Sequence, residues 1–232
     1  RRTEHHAVTD PHFQVNAKGY RGTGGDEGHE FARTVERIQS DTDATFVLTR
    51  RLPDLRRIAT DTDLAGTTPV VDGVKPGRGI GKILPGTIEA AGALGAVINH
   101  AEARDTLSAI ERKIERCKQV GMDSIVCVDS IEMGRAVAAF DPDCLVFEKP
   151  ADISTDRAIT QTHPDLVREF VQTVDDVNPR TAVLVGGGIS TVDDVRRAFE
   201  QGADATGAAS AISLADDPEA RLRSIGEAFE DL

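Results

Sequence analysis

The chain has 232 residues, enough for one well-buried core, and 39 acidic against 27 basic side chains leave a formal net charge of -12. An acidic chain with no Lys/Arg-rich run excludes non-specific nucleic-acid binding, which depends on neutralising phosphates. The balance fits a salt-rich cell interior, where carboxylates stay hydrated and screened, or an ordinary acidic cytosolic protein; arginine outnumbering lysine suits the former.

Taken in chain order, short apolar runs alternate with longer amphipathic ones. The opening Arg1-Arg2-Thr3-Glu4-His5-His6 has no methionine, and residues 1–11 are expected to form a flexible arm without an assigned role. Residues 12–232 are expected to form one domain. Strand-like runs follow at Phe13-Gln14-Val15-Asn16, Ala44-Thr45-Phe46-Val47-Leu48, Pro69-Val70-Val71 and Gly95-Ala96-Val97-Ile98. The second half adds Ser124-Ile125-Val126-Cys127-Val128, Cys144-Leu145-Val146-Phe147, Ala182-Val183-Leu184-Val185 and a weaker run from Ala205 to Ala209. Helical patterns lie between them. Asp105 to Gln119 repeats Leu107, Ile110 and Ile114 on one face, and Pro164 to Val174 repeats Leu166, Phe170 and Val174. Ser190 with Asp193 reads as a capping pair, and Asp217-Pro218 as an N-cap followed by proline at the first helical position. The pattern is thinnest from Arg51 to Gly81.

Strands alternating with helices predict an α/β fold with a parallel sheet and right-handed crossovers. At this length the closed (β/α)8 barrel, as one domain, is favoured over an open sheet. The three cysteines, Cys117, Cys127 and Cys144, form no CxxC pair and have no histidine at ligand spacing, so neither a disulfide framework nor a metal site is expected. A reducing, cytoplasmic setting follows from that, and no apolar run has membrane-spanning length.

In such a barrel the chemistry sits where strands end. Lys18 follows the first strand; it is either a surface lysine or an ammonium aimed into the mouth to hold a phosphate or a developing enolate oxygen. His100 ends the Gly95 run. It is either a structural histidine or a neutral imidazole that polarises a carbonyl. Glu148 closes the Cys144 run, where burial raises a carboxyl pKa and makes a better base; pairing with Lys149 or Lys18 is the alternative. Gly186-Gly187-Gly188 is either a tight turn or, with Ala209-Ser210-Ala211 after the last strand, a phosphate cradle.

Taken together, these segments resemble the triosephosphate isomerase family, in particular its short archaeal type, from about Phe13 to the C-terminus. Asn16-Ala17-Lys18 resembles the family's N-x-K, Asn99-His100-Ala101-Glu102 its N-H-S-E, and Val126-Cys127 the V-C of its fifth strand. Phe147-Glu148-Lys149-Pro150-Ala151-Asp152-Ile153 resembles the segment opening its mobile lid. Gly186-Gly187-Gly188-Ile189-Ser190 resembles G-A-G-I-S, and Ala209-Ser210-Ala211 resembles A-S-G. The resemblance implies Glu148 as the proton-shuttling base, neutral His100 as electrophile and relay, and Lys18 as the counter-charge. Asn16 would orient the oxygens and Glu102 would support Lys18 and His100. Ser154, Gly186, Gly187, Gly188, Ala209 and Ser210 would hold the phosphate. It also implies a small phosphorylated sugar as substrate, no cofactor or metal, and a homo-oligomer, dimer or tetramer. Four departures stand out. The lid carries Ser154-Thr155-Asp156 for G-T-G, Lys149 replaces a proline, Ala101 a serine, and Ile80 a threonine of the subunit-contact loop. Two other readings stay open: an aldose–ketose isomerase for another phosphorylated sugar, and a barrel that binds a phosphorylated ligand without converting it.

Overall fold

Eight parallel strands close into a barrel in sequence order in the computed structural model, which describes residues 8–77, 79–149 and 157–231. The strands are β1 (His12–Asn16), β2 (Phe46–Thr49), β3 (Ala65–Thr68), β4 (Gly95–Ile98), β5 (Asp123–Val128), β6 (Cys144–Phe147), β7 (Ala182–Val185) and β8 (Ala205–Ala208). The seam between first and last strands is closed by the register His12↔Ala205 through Val15↔Ala208. Helices α1 (Gly25–Asp41), α2 (Leu55–Asp61), α3 (Pro85–Ala90), α4 (Leu107–Gln119) and α5 (Ile131–Ala138) serve the first five crossovers. After β6 come α6 (Ile159–Thr162) and α7 (Pro164–Val177), after β7 α8 (Val192–Glu200), and after β8 α9 (Ser210–Ser213) and α10 (Pro218–Glu227). This is a single (β/α)8-barrel domain.

Strand side chains alternate between the barrel interior and the helix layer. The interior is apolar on one side, where Val97, Ile125, Cys127, Cys144, Val146, Ala182, Leu184 and Ala205 pack together. On the side of β1 to β3 it is polar: the Gln14 amide donates to the Thr49 hydroxyl at 2.6 Å and to the Thr67 hydroxyl at 3.1 Å. Outward-facing residues such as Val126, Leu145 and Phe147 meet Ile110, Val137 and Phe170 of the helices, and the rings of Phe147 and Phe170 stack at 4.1 Å.

Three expectations are corrected. The third strand is Ala65–Thr68 and not Pro69-Val70-Val71. Proline lacks the N–H a ladder needs, while Val71 packs outside against Ile110 and Ile114. The strand lacks an apolar signature because Gly66 lies under the Arg50 guanidinium, whose carbon would sit 2.2 Å from a Cβ there. Leu107 is not on the buried stripe of α4: it directly follows the N-cap Thr106 and is exposed, and Cys117 completes the stripe with Ile110 and Ile114. The capping pair of α8 is shifted by one, since Thr191 and Asp194 form the reciprocal box. Of the expected arm, residues 1–7 lie outside the described residues, and Val8 is fully buried among the interior side chains. The Asp217 cap is as expected, accepting from the Ala220 amide at 2.9 Å. Among the described residues no helix is long and apolar enough to cross a membrane.

Candidate active site

Lys18, His100 and Glu148 converge on one cavity of about 740 Å³ at the C-terminal end of the barrel. Each reaches it for a local reason. β1 ends at Asn16, whose side-chain oxygen accepts the Lys18 amide at 3.1 Å. Lys18 itself has a φ of +31°, and its carbonyl receives the Thr23 hydroxyl at 3.4 Å, as the Tyr20 carbonyl does at 2.9 Å. A non-glycine residue in that region is held there only by its surroundings. The turn aims the ammonium inward, where it meets Glu102 at 2.9 Å.

His100 follows Asn99, whose φ of +60° suits asparagine better than most residues. The imidazole is mostly buried, and its Nδ1 accepts the Glu102 backbone N–H at 3.2 Å. An acceptor role for Nδ1 leaves the proton of the neutral ring on Nε2, the nitrogen facing Glu148. Burial, and secondarily Lys18, hold the His100 pKa below its ordinary value of 6.5, so the ring is neutral at pH 7. Glu102, bonded to Lys18, is held below the usual carboxylate range.

Glu148 is the first residue past β6. Its Oε1 lies 3.6 Å from His100 Nε2, beyond hydrogen-bond reach, and has no hydrogen-bond partner among the described residues. Only 14% of either side chain is exposed. Burial pushes the Glu148 pKa above 4.5, with Lys18 opposing. Lys18 thus pairs with Glu102, and the nearest charged-capable neighbour of Glu148 is a neutral imidazole. That arrangement leaves a mostly buried carboxyl facing a donor N–H across the cavity wall.

The rest of the wall is backbone. Gly186, Gly187, Gly188, Ala209 and Ser210 all line the cavity, and Gly186 stands beside Glu148. Gly188, at φ +73°, lies under the Arg157 carbonyl, which would be 2.2 Å from a Cβ. The short α9 opens on this wall at Ser210, and the Ile212 and Ser213 amides both return to the Ala209 carbonyl, at 3.2 and 3.0 Å. Ser154 lies outside the described residues, as do Thr155, Asp156 and the lid-opening Pro150 to Ile153.

Among the polar cavity residues that escaped sequence reasoning are Gln14 and Thr49. Both lie on strands with their polar groups inward, and the signal for Gln14 was its position two before Asn16, hence on the same face. Arg221 also lines the cavity and donates to the Ser190 carbonyl at 2.8 Å. The three cysteines are free and buried. Among the described residues no group of three His, Cys, Asp or Glu side chains is placed to hold a metal ion.

The profile of the triosephosphate isomerase family matches residues 12–225. The chain is 33% identical to the triosephosphate isomerase of Methanocaldococcus jannaschii over 211 residues, covering 91% of this chain and 96% of the relative. It is 34% identical to that of Methanobrevibacter smithii over 215 residues, covering 93% and 97%. The crystal structure of triosephosphate isomerase from Bartonella henselae superposes with a TM-score of 0.76 at 14% identity, covering 95% of this chain and 99% of that one, a likeness of fold.

Proposed function

Because this chain belongs to the triosephosphate isomerase family, we propose that it interconverts D-glyceraldehyde 3-phosphate and dihydroxyacetone phosphate, with Glu148 as the base and neutral His100 as the electrophile. The observation that carries this reading is the pair itself, a carboxylate and an imidazole 3.6 Å apart whose pKa values burial moves toward each other. A binding barrel has no use for a mostly buried base opposite a neutral ring.

Ionised Glu148 removes the proton from the carbon next to the substrate carbonyl. The electron pair moves to the carbonyl oxygen, giving an enediolate. His100 Nε2–H donates to that oxygen and relays the hydroxyl proton between the two oxygens. Protonated Glu148 then returns its proton to the neighbouring carbon, so no net proton is gained or lost. The Lys18 ammonium balances the negative charge that develops, and Asn16 orients the oxygens. The backbone of Gly186 to Gly188, with Ala209 and Ser210, receives the phosphate, and Ser154 joins it from the lid. Side chains alone perform these steps, without a cofactor.

A coupled assay in low and multimolar salt tests the proposal. Glu148→Gln should lower the rate by about a hundredfold or more. Turnover unaffected by the substitution removes Glu148 from the mechanism; no turnover by the folded wild type redirects the search to other sugar phosphates, with Ser154-Thr155-Asp156 as the reason. The acidic composition supports a salt-rich, cytoplasmic setting, for which highest activity in multimolar salt is the expected result. We also propose a homo-oligomer. The loop after β3 is pinched by Asp72, which accepts from the Ile83 amide at 2.8 Å, and its tip presents Ile80 at 105% exposure, an apolar side chain suited to a second copy. Sedimentation showing only monomer at working salt overturns this.

A further inference from the structure

Asp105, five residues beyond His100 and outside the cavity lining, closes the loop that carries two of the site's groups. Its Oδ2 accepts the Asn99 amide at 3.3 Å, and its own amide donates to the Asn99 side-chain oxygen at 2.9 Å. The Asn99 side-chain nitrogen completes the set by donating to the Cys127 carbonyl on β5 at 2.8 Å. The loop from Asn99 to Asp105 is therefore tied end to end, and tied to the barrel. Lys113, one and a half turns into α4, bonds Asp105 Oδ2 at 2.7 Å; 14% of its side chain and 15% of that of Asp105 are exposed.

Between the tied ends stand His100 and Glu102. The Glu102 amide fixes the His100 ring through Nδ1, and its carboxylate holds Lys18. The left-handed φ of Asn99 is the bend that turns His100 into the cavity. Asparagine tolerates that bend at modest cost, and three hydrogen bonds on one side chain and its amide hold it there. From this geometry we infer that Asp105, seated by Lys113, is a positioning residue for the isomerase site: through Asn99 it sets where His100 Nε2 points and where Glu102 meets Lys18. The inference rests on the catalytic reading of His100 given above.

A partly buried Asp–Lys pair is weak evidence for stability, since desolvation offsets most of the attraction. Its value here is geometric. Reacting groups must be held to within fractions of an ångström, and a 1 Å misplacement costs about a hundredfold in rate. Truncation of the Asp105 side chain takes the acceptor from the Asn99 amide and leaves Lys113 without its partner; the Asp105 backbone N–H alone then holds the Asn99 side-chain oxygen, so the loop relaxes outward and carries the ring with it. The charged or titratable groups that face His100 are Lys18, Glu102, Arg104 and Glu148.

The test compares Asp105→Ala and Asp105→Asn with Ile114→Val, a change in the buried stripe of α4 that touches none of these contacts. Three readouts are followed: kcat and KM for the triose phosphates, the acid limb of kcat/KM, and the ring-nitrogen NMR signals of His100 in the resting enzyme. Asp105→Ala should lower kcat about a hundredfold with KM changed less than about fivefold. Its His100 signals should lose the single tautomer with Nδ1 as acceptor, and the acid limb should rise toward 6.5 as the ring becomes solvated. Asp105→Asn keeps an oxygen for the Asn99 amide and should recover about tenfold of the loss. Ile114→Val should lower the melting temperature and leave all three readouts in place. Should Asp105→Ala fail to fold, Lys113→Met serves, with the same changes expected at smaller amplitude. A folded Asp105→Ala enzyme with kcat within threefold of wild type and unaltered His100 signals overturns the inference. Absence of turnover in the wild type would fail the functional reading instead, and the His100 signals would still decide the clamp.

Discussion

Replacing Gly188 by alanine should disable the site by a route that involves no catalytic side chain. A Cβ at this position would lie 2.2 Å from the Arg157 oxygen, 2.5 Å from its carbon and 2.9 Å from the Ala158 nitrogen. All three are backbone atoms, so no rotamer change relieves the contact. Ala158 and Ile189, on either side of the crossing, are themselves buried and resist a shift. To restore an ordinary contact distance the two segments must part by about 1 Å. The left-handed φ of +73° adds about 1–2 kcal/mol for a residue with a Cβ. Overpacking adds about 1–3 kcal/mol, and a melting temperature lower by roughly 5–15 °C is expected. The larger effect is functional, because the same shift of about 1 Å moves the proposed phosphate cradle relative to Glu148 and His100. The expected loss in kcat/KM is about a hundredfold. It should appear as a higher KM together with a lower kcat, since both grip and alignment suffer. Steady-state kinetics with glyceraldehyde 3-phosphate and a thermal melt of the same sample measure both effects. A variant with kcat/KM within threefold of wild type would refute the argument that this crossing sets the cradle.

Two further outcomes follow from buried charge. Arg50 is 1% exposed; only its Nη2 is bonded, to the Leu64 carbonyl, and neither Nε nor Nη1 has a partner among the described residues. Burial pushes its pKa down from 12.5 to about 10, a cost of about 3 kcal/mol for keeping the charge, of which the bond to Leu64 offsets about 1–2 kcal/mol. Arg50→Met should therefore stabilise the fold by about 1–2 kcal/mol at pH 7 in a urea titration. Because the folded pKa is the depressed one, that gain should shrink as pH rises above about 10; a destabilised variant contradicts the account. The activity profile is the second. In the proposed mechanism the active form needs Glu148 ionised and His100 neutral, and burial holds the first pKa above 4.5 and the second below 6.5. The acid limb of kcat/KM follows the higher of the two and should therefore lie above the ordinary carboxylate value of 4.5. A limb at or below pH 4.5 contradicts this pair.

The barrel was legible in the sequence because seven of its strands, β3 excepted, fall in or overlap the short apolar runs between amphipathic ones. Cys144 to Phe147 and Gly95 to Ile98 coincide with β6 and β4. β3 was not legible, because Ala65-Gly66-Thr67-Thr68 gives up apolar side chains to make room for Arg50 and for the polar contacts of Thr67. That is a tertiary requirement, and no local pattern encodes it. Lys18, His100 and Glu148 stood out because each lies within two residues of a strand end. Gln14 was hidden as one polar residue within a strand-like run, and Asp105 as the polar start of a helix. Their importance lies in partners 35 and 6 residues away, Thr49 and Asn99.

The loop after Lys18 has one more consequence. The chain contains no tryptophan and a single tyrosine, Tyr20, two residues from Lys18 on the cavity wall, with its carbonyl bonded to Thr23. Tyrosine emission, excited at wavelengths where the phenylalanines barely absorb, therefore originates at one spot, beside the cavity. Nature has left this enzyme with a built-in optical label. Ligand arrival and local opening of the first loop can each be followed by light without adding a dye or changing a residue.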